Sequence, residues 1–369
     1  MQHENKNGKY LFLIPSLTNG GAERVMTTIA NNVGCDSKVR IVTMTDSEPF
    51  YKLDDRVEVV SLGQKVNRLN KLTLLLSAGI GGVKLIFGLK NMIKEYKPDC
   101  ILSFLQSANM IAIIVKLLSF KKFRLVVSER CDPTVRGFFD RWFEKKFYCK
   151  ADVVVCQGKT ATDFFDNKTK SKIAVIPNPI SADAIPERYT GVRRKTVVGV
   201  GRLDGQKNFA MLIKAFARLP EKYNDFTLEI YGGGNKQSEL QQLIESLDLG
   251  ERAFLMGVKS GVMHYVSDCA LYVMSSDFEG FPNALAEAMA TGLPVISTDF
   301  STGIAKELIG DMNGIVIPVG DEDALLCAME KMLSDEQKWD AYSIENRKLF
   351  EILSETKVME MWKDVLKTD

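Results

Sequence analysis

Short runs rich in Val, Ile and Leu recur along the chain, each followed by a stretch of helical character. YLFLIP, VRIVTM, DCILSF, RLVVSE and DVVVCQ occupy the front half, and TVVGVG, FTLEIYG, RAFLMG, ALYVMS and LPVIST the back. Strands that alternate with helices are joined by crossovers, and crossovers make parallel sheets covered on both faces. The first series closes at Ile176-Pro-Asn-Pro-Ile180, where two prolines forbid helix and favour extended backbone. A polar stretch, SADAIPERYTGVRRK, follows, so a linker is expected over residues 178–194. The second series ends at residues 316–319, after which Asp321 is a candidate cap for helices running to Leu366. A chain of 369 residues is long enough for two domains of common size. The expected division is 1–180, 181–350 and a closing segment, 351–369, packing back on the front domain.

Apolar residues at 46% and charged residues at 26% describe a globular chain and exclude a disordered one. The seven cysteines form no CxxC pair and read as reduced thiols. The opening MQHENKNGKY is polar, and residues 11–17 are too short for a secretory apolar core, so a cytoplasmic location is expected. Charge is uneven: residues 1–184 hold 28 Lys and Arg against 18 Asp and Glu, the remainder 20 against 29. A basic front half suits nucleic acid or an anionic membrane surface. No aromatic-interleaved basic stretch or recognised binding module supports nucleic acid, so it is not an expected partner. Residues 72–93 are the most hydrophobic segment, but Lys84 and Lys90 interrupt it and Gly79, Gly81 and Gly82 break it, against a membrane span. Two readings stay open: a half-buried helix before DCILSF, or, with Lys65, Arg68, Lys71, Lys84, Lys90 and Lys94, part of a basic face resting on anionic lipid.

The chemistry concentrates in E-G-F-P-N-A-L-A-E, residues 279–287, between an apolar strand and an Ala-rich helix. Ligands of parallel sheets bind beyond the carboxyl ends of strands, where helix amino termini offer free N–H groups to phosphates. Glu279 would sit in that turn. Gly280 permits close backbone approach, Phe281 and Pro282 lead into the helix with Pro282 presetting φ, and Asn283 or Ala284 begins it. Glu287 lies one turn further in. A carboxylate there can accept from both hydroxyls of a ribose diol. A surface carboxylate and a helix-capping one is the plainer alternative.

This segment resembles the E-x7-E motif of the retaining glycosyltransferase family 4, whose fold is GT-B. The resemblance extends to Val198-Gly-Val-Gly-Arg202-Leu-Asp-Gly-Gln-Lys207, similar to the family's G-R-L strand end with a following lysine. It implies two Rossmann-like doubly wound domains facing a central cleft, with a C-terminal helix crossing back. It also implies that Arg202 and Lys207 hold the donor diphosphate. The physics agrees: a forked guanidinium and an ammonium would stabilise the charge that grows on a leaving diphosphate, so no metal or cofactor is expected. Tyr231-Gly-Gly-Gly-Asn235, with Gly233, resembles the loop beside the nucleotide, and Met256-Gly-Val-Lys259, with Val258, the loop that reads the base. Either alone is as readily an ordinary turn.

In the front domain, residues 15–24 resemble the family's G-G-A-E-R loop, in which Gly20 and Gly21 would allow a tight turn against the diphosphate. One departure matters. Many members carry a histidine near residues 127–133, where this chain reads V-S-E-R-C-D-P, and its only histidines are His3 and His264. Members acting on N-acetylhexosamine glycans resemble the S-E-R version, which makes Glu129 and Arg130 candidates for acceptor contact; a core-edge ion pair is the alternative. The resemblance implies retention of anomeric configuration, with Glu279 as nucleophile or, as favoured here, as a sugar-positioning group. In that second route the departing phosphate takes the acceptor proton and Arg202 and Lys207 carry the electrostatics. The expected substrates are a nucleotide sugar, UDP-linked by family habit, and a lipid-linked glycan acceptor in cell-surface polysaccharide synthesis. A nucleotide-sugar epimerase, which would need acid and base groups this chain does not place well, and a non-catalytic sugar-nucleotide binder are the rivals.

Overall fold

The computed structural model describes residues 8–63, 71–310 and 313–368, with the backbone alone at 71–80 and 133. The chain divides into two compact units, Met1–Pro177 with Val358–Asp369, and Asn178–Lys357.

The first unit holds β1 (Lys9–Ile14), β2 (Lys38–Thr43), β3 (Val57–Ser61), β4 (Cys100–Phe104), β5 (Arg124–Ser128), β6 (Val153–Cys156) and β7 (Ile173–Val175). They form one parallel sheet in the order β3-β2-β1-β4-β5-β6-β7. Because successive side chains face opposite sides of a strand, Leu11 and Leu13 enter one core layer while Phe12 and Ile14 enter the other. The closing helix Glu355–Leu366 covers the second layer through Val358, Met359, Trp362 and Leu366, with Trp362 tilted against Phe104 at 5.6 Å between ring centroids.

The second unit holds β8 (Arg194–Val200), β9 (Thr227–Tyr231), β10 (Ala253–Gly257), β11 (Cys269–Met274), β12 (Val295–Thr298) and β13 (Gly314–Ile317). The order is β10-β9-β8-β11-β12-β13, again all parallel. In both sheets the strand order reverses beside the first strand, between β1 and β4 and between β8 and β11. Loops leaving the carboxyl ends of such a pair diverge and open a crevice for ligand. Asp321 caps the helix Glu322–Ser334, its Oδ1 accepting from Ala324 N at 2.8 Å.

Several features differ from the sequence reading. β3 and β7 were not expected: both are sheet edges, β3 mostly exposed and β7 half-buried, so neither carries the continuous apolar run of a central strand. The segment around residues 72–93 is one helix, Lys71–Tyr96, and its glycines do not break it. A Cβ on Gly88 would meet Leu62 Cδ2 at 3.1 Å, so at that position glycine serves close packing. Among the described residues no helix is long and apolar enough to cross a membrane. Of the expected basic face, Lys65 and Arg68 lie outside the described residues, as does the side chain of Lys71. Lys84 and Lys94 are exposed and Lys90 is half-buried.

Candidate functional site

Arg202 and Lys207 leave the end of β8, and the loop between them treats the two cations differently. A Cβ on Gly201 would meet Lys207 Cε at 2.9 Å, so the lysine stem lies across that glycine. Asn208 adopts the left-handed conformation at φ 44° and caps the helix Phe209–Ala217, while its Nδ2 donates to Asp277 Oδ1 at 2.9 Å. Lys207 is thereby anchored, and its Nζ reaches Glu279 Oε1 at 2.5 Å, with side chains only 14% and 8% exposed. Arg202 is 72% exposed, resting on Asp204 Oδ2 at 3.1 Å and donating to Gln206 Oε1 at 3.0 Å. One cation is fixed before any ligand arrives, and the other faces solvent.

Glu279 lies just past β11, on the far side of the reversal point from Lys207. Its Oε1 also accepts from Ser276 Oγ at 2.8 Å, and its Oε2 from Gln206 Nε2 at 3.2 Å. Three donors on one carboxylate spread its charge and fix its orientation, which suits holding hydroxyls better than attacking carbon. Gln206 was missed by the sequence reading. It also donates to the Phe278 carbonyl at 2.9 Å, so it joins the β8 and β11 loops.

The helix Asn283–Thr291 begins at Asn283, with Pro282 as its cap residue at φ −80°. Its first amides have no partner within the helix. Asn178 Nδ2 donates to Asn283 Oδ1 at 2.8 Å. Gly280, Asn283 and Ala284 are half-buried, whereas the Phe281 side chain is buried in the core with Tyr272 and Leu285, so only its backbone can serve a ligand. Glu287 is half-buried in the second turn. Burial, then the negative charges of Glu279 and Glu287, hold the Tyr272 phenol well above its ordinary pKa.

The glycine loops join the same edge. Gly201 N donates to Tyr231 O at 2.9 Å, Leu203 N to Gly233 O at 3.0 Å, and Gly232 N to Gly257 O at 2.9 Å. A Cβ on Gly232, at φ 151°, would stand 1.7 Å from Gly201 O, and one on Gly234 would stand 2.3 Å from Leu203 O. These two glycines, rather than Gly233, are sterically required. Val258 is 79% exposed, and its Cγ2 would lie 3.1 Å from a Cβ on Gly233, so the two candidate residues are neighbours.

In the first unit, Gly20 and Gly21 follow β1 and start the helix Gly21–Gly34. Neither has a positive φ; a Cβ on Gly20 would instead collide with the Glu23 carboxylate, which folds back over it. Glu129 and Arg130 follow β5 and are both buried, and the ion pair offered as the alternative is present at Glu129, with Arg136 as its partner. Glu129 Oε1 pairs with Arg136 Nη2 at 2.5 Å and accepts the Arg130 and Cys131 amides at 3.1 and 3.2 Å, while Tyr148 donates to Oε2 at 3.3 Å. Arg130 stacks over Phe104 at 4.0 Å and Trp362 at 5.3 Å. Arg136 also holds Glu144 Oε1 at 2.5 Å. Burial and the neighbouring Glu129 charge push the Glu144 carboxyl up to about 8. His264 sits in the short helix Val262–Val266 with its ring against the Asp183 carbonyl at 3.1 Å; His3 lies outside the described residues.

Comparison with known proteins adds identity to geometry. Residues 19–184 match the model described as Glycosyltransferase Family 4, and residues 185–349 the model for Glycosyl transferases group 1. A curated relative from Campylobacter jejuni, N-acetylgalactosamine-N,N'-diacetylbacillosaminyl-diphospho-undecaprenol 4-alpha-N-acetylgalactosaminyltransferase, is 29% identical over 343 residues, covering 89% of this chain and 91% of that protein. The amylovoran biosynthesis glycosyltransferase AmsD of Erwinia amylovora is 26% identical, covering 89% and 91%. Among solved structures, Anabaena HepE in complex with UDP superposes with a TM-score of 0.78 at 20% identity, covering 97% of this chain and 99% of that one, a likeness of fold.

Proposed function

From the premise that this chain belongs to the family 4 glycosyltransferases of the GT-B fold, we propose a retaining, metal-independent transferase that moves a hexose or N-acetylhexosamine from a UDP-sugar to a lipid-linked glycan at a membrane surface. The observation that carries the reading is the meeting of Lys207, Gln206 and Glu279 at the reversal point of the second sheet, with Arg202 open beside them. Arg202 and Lys207 would take the diphosphate. Their charge stabilises the leaving group as the glycosidic bond breaks, which is the function a metal ion serves elsewhere. Glu279, oriented by three donors, would hold sugar hydroxyls, and Glu287 the ribose diol.

With Glu279 engaged in this way, the acceptor hydroxyl attacks from the face the diphosphate leaves. The departing phosphate oxygen takes the proton, so no histidine base is called for. The acceptor class is supported by the lipid-diphosphate-linked glycans named for the Campylobacter relatives. No acceptor contact is assigned to Glu129, whose carboxylate is already taken up within the first unit.

A mass-spectrometric screen of nucleotide sugars, with and without undecaprenyl-diphosphate-linked glycans, tests the proposal. A UDP-sugar should extend the acceptor by one residue and release UDP, with no sugar adduct on the protein. An epimerised donor, a glycosyl adduct on Glu279, or no transfer from any donor would overturn it.

A further inference from the structure

The helix Phe138–Phe147 is apolar on two faces, and only one is covered. Phe143 is buried in the first core layer with Phe147 packed beside it, and Tyr148 follows at 0% exposure. Beside them on the same helix, Phe138, Phe139 and Trp142 form an adjoining stripe exposed at 80%, 60% and 42%, and Val135, in the short 3-10 helix Pro133–Val135 just ahead of it, is exposed at 54%. Phe139 and Trp142 lean together at 5.7 Å between centroids. Leaving three aromatic rings in water costs free energy that a partner surface would recover, so such a stripe marks an interaction face.

The rim identifies the partner. Arg141, Lys145, Lys146 and Lys150 are exposed around the stripe, with Lys146 Nζ 5.2 Å from the Trp142 ring centre. The acids of the segment do not offset them: Glu144 is buried against Arg136, and Asp140 is half-buried. Protein interfaces are depleted in lysine at the patch, whereas a helix that rests in a bilayer surface combines Trp and Phe at headgroup depth with flanking Lys and Arg. Single-stranded nucleic acid would also use aromatics and cations, but along a groove that tracks the phosphates, and this stripe is the convex side of a helix.

We infer that the stripe Val135, Phe138, Phe139 and Trp142, with its Arg141, Lys145 and Lys146 rim, docks the first unit on an anionic lipid bilayer. The docking face is distinct from the basic face read from residues 65–94. It deepens the membrane-surface part of the function proposed above and rests on that reading only for the acceptor's location. Arg136 ties the start of this helix to Glu129 at the carboxyl end of β5, so the docked face is fixed to the ligand-facing edge of the first sheet.

The protein carries its own probe. Of its three tryptophans, Trp339 and Trp362 are buried and Trp142 is the exposed one. Titration with phosphatidylcholine vesicles containing phosphatidylglycerol should shift the emission to the blue, and pure phosphatidylcholine should bind far less. The F138A/F139A variant should partition ~10-fold or more weakly in vesicle sedimentation. K145E/K146E should lose the preference for anionic lipid, and the wild-type affinity should fall steeply with salt. Both variants should fold, bind UDP and act on a water-soluble acceptor as wild type does, since they touch only exposed side chains. Docking without transfer would sink the proposed function and leave this inference standing. Failure to bind anionic vesicles, binding indifferent to F138A/F139A, a protein dimer that F138A/F139A disperses, or nucleic-acid binding lost in that variant would each overturn the inference.

Discussion

Lys207 Nζ and Glu279 Oε1 lie 2.5 Å apart, 72 positions apart in sequence, closing the two strand-end loops on either side of the reversal point in the second sheet. A buried pair of this kind is costly to break from one side, because the remaining charge stays out of water without its partner. The pair therefore fixes loop geometry before any ligand is present, and a ligand phosphate approaching Lys207 meets a cation already held in place.

Glu287 should be a binding residue. Glu287→Ala removes the carboxylate proposed to accept two ribose hydroxyls, and isothermal calorimetry should show UDP affinity falling ~10- to 100-fold with thermal stability little changed. Unchanged affinity would move the ribose contact elsewhere.

The glycine loop predicts a contrast between two alanine substitutions. Gly232→Ala puts a methyl group 1.7 Å from Gly201 O at a φ that disfavours side chains, and should destabilise the second unit by ~2–4 kcal/mol while weakening donor binding. Gly205→Ala, with no atom within 4 Å of the added methyl, should be close to neutral in urea unfolding. Equal midpoints would contradict the stitched-loop account.

The first unit should carry a pH signature. Burial and Glu129 push the Glu144 carboxyl up to about 8, and Arg136 pairs with both acids. An acid that holds its proton more tightly when folded stabilises the fold fully below the ordinary carboxylate range and loses that contribution as pH rises to about 8. Urea midpoints should decline between pH 5 and 8 in the wild type, and Glu144→Gln, which cannot ionise, should flatten the decline. A wild-type midpoint that rises over this range would contradict the sign.

Much of this was legible in the sequence, for identifiable reasons. Central strands such as β4 and β11 are buried along their whole length and so appear as unbroken apolar runs. The edges β3 and β7, with one side in water, do not. Arg202, Lys207, Glu279 and Glu287 could be singled out as candidates because each follows a strand end, where the ligands of parallel sheets bind. Gln206 could not, since its role lies in bridging Arg202 to a residue 73 positions away. The requirement for Gly232 and Gly234 rests on carbonyls of another loop, beyond the reach of a glycine run read alone. The stretch FFDRWFEKKF does interleave aromatics with basic residues, contrary to the sequence reading. With Phe143 and Phe147 also apolar, only the fold tells which face is covered.

The most direct test is the turnover of Arg202→Ala. This side chain is exposed and, among the described residues, held by Asp204 and Gln206, so its removal should leave the melting temperature nearly unchanged. With the best donor and a saturating acceptor, kcat should fall ~10²-fold or more, as loss of charge stabilisation at a leaving group does. A folded Arg202→Ala protein that transfers sugar at the wild-type rate would contradict the assignment of the leaving diphosphate to this edge of the second sheet.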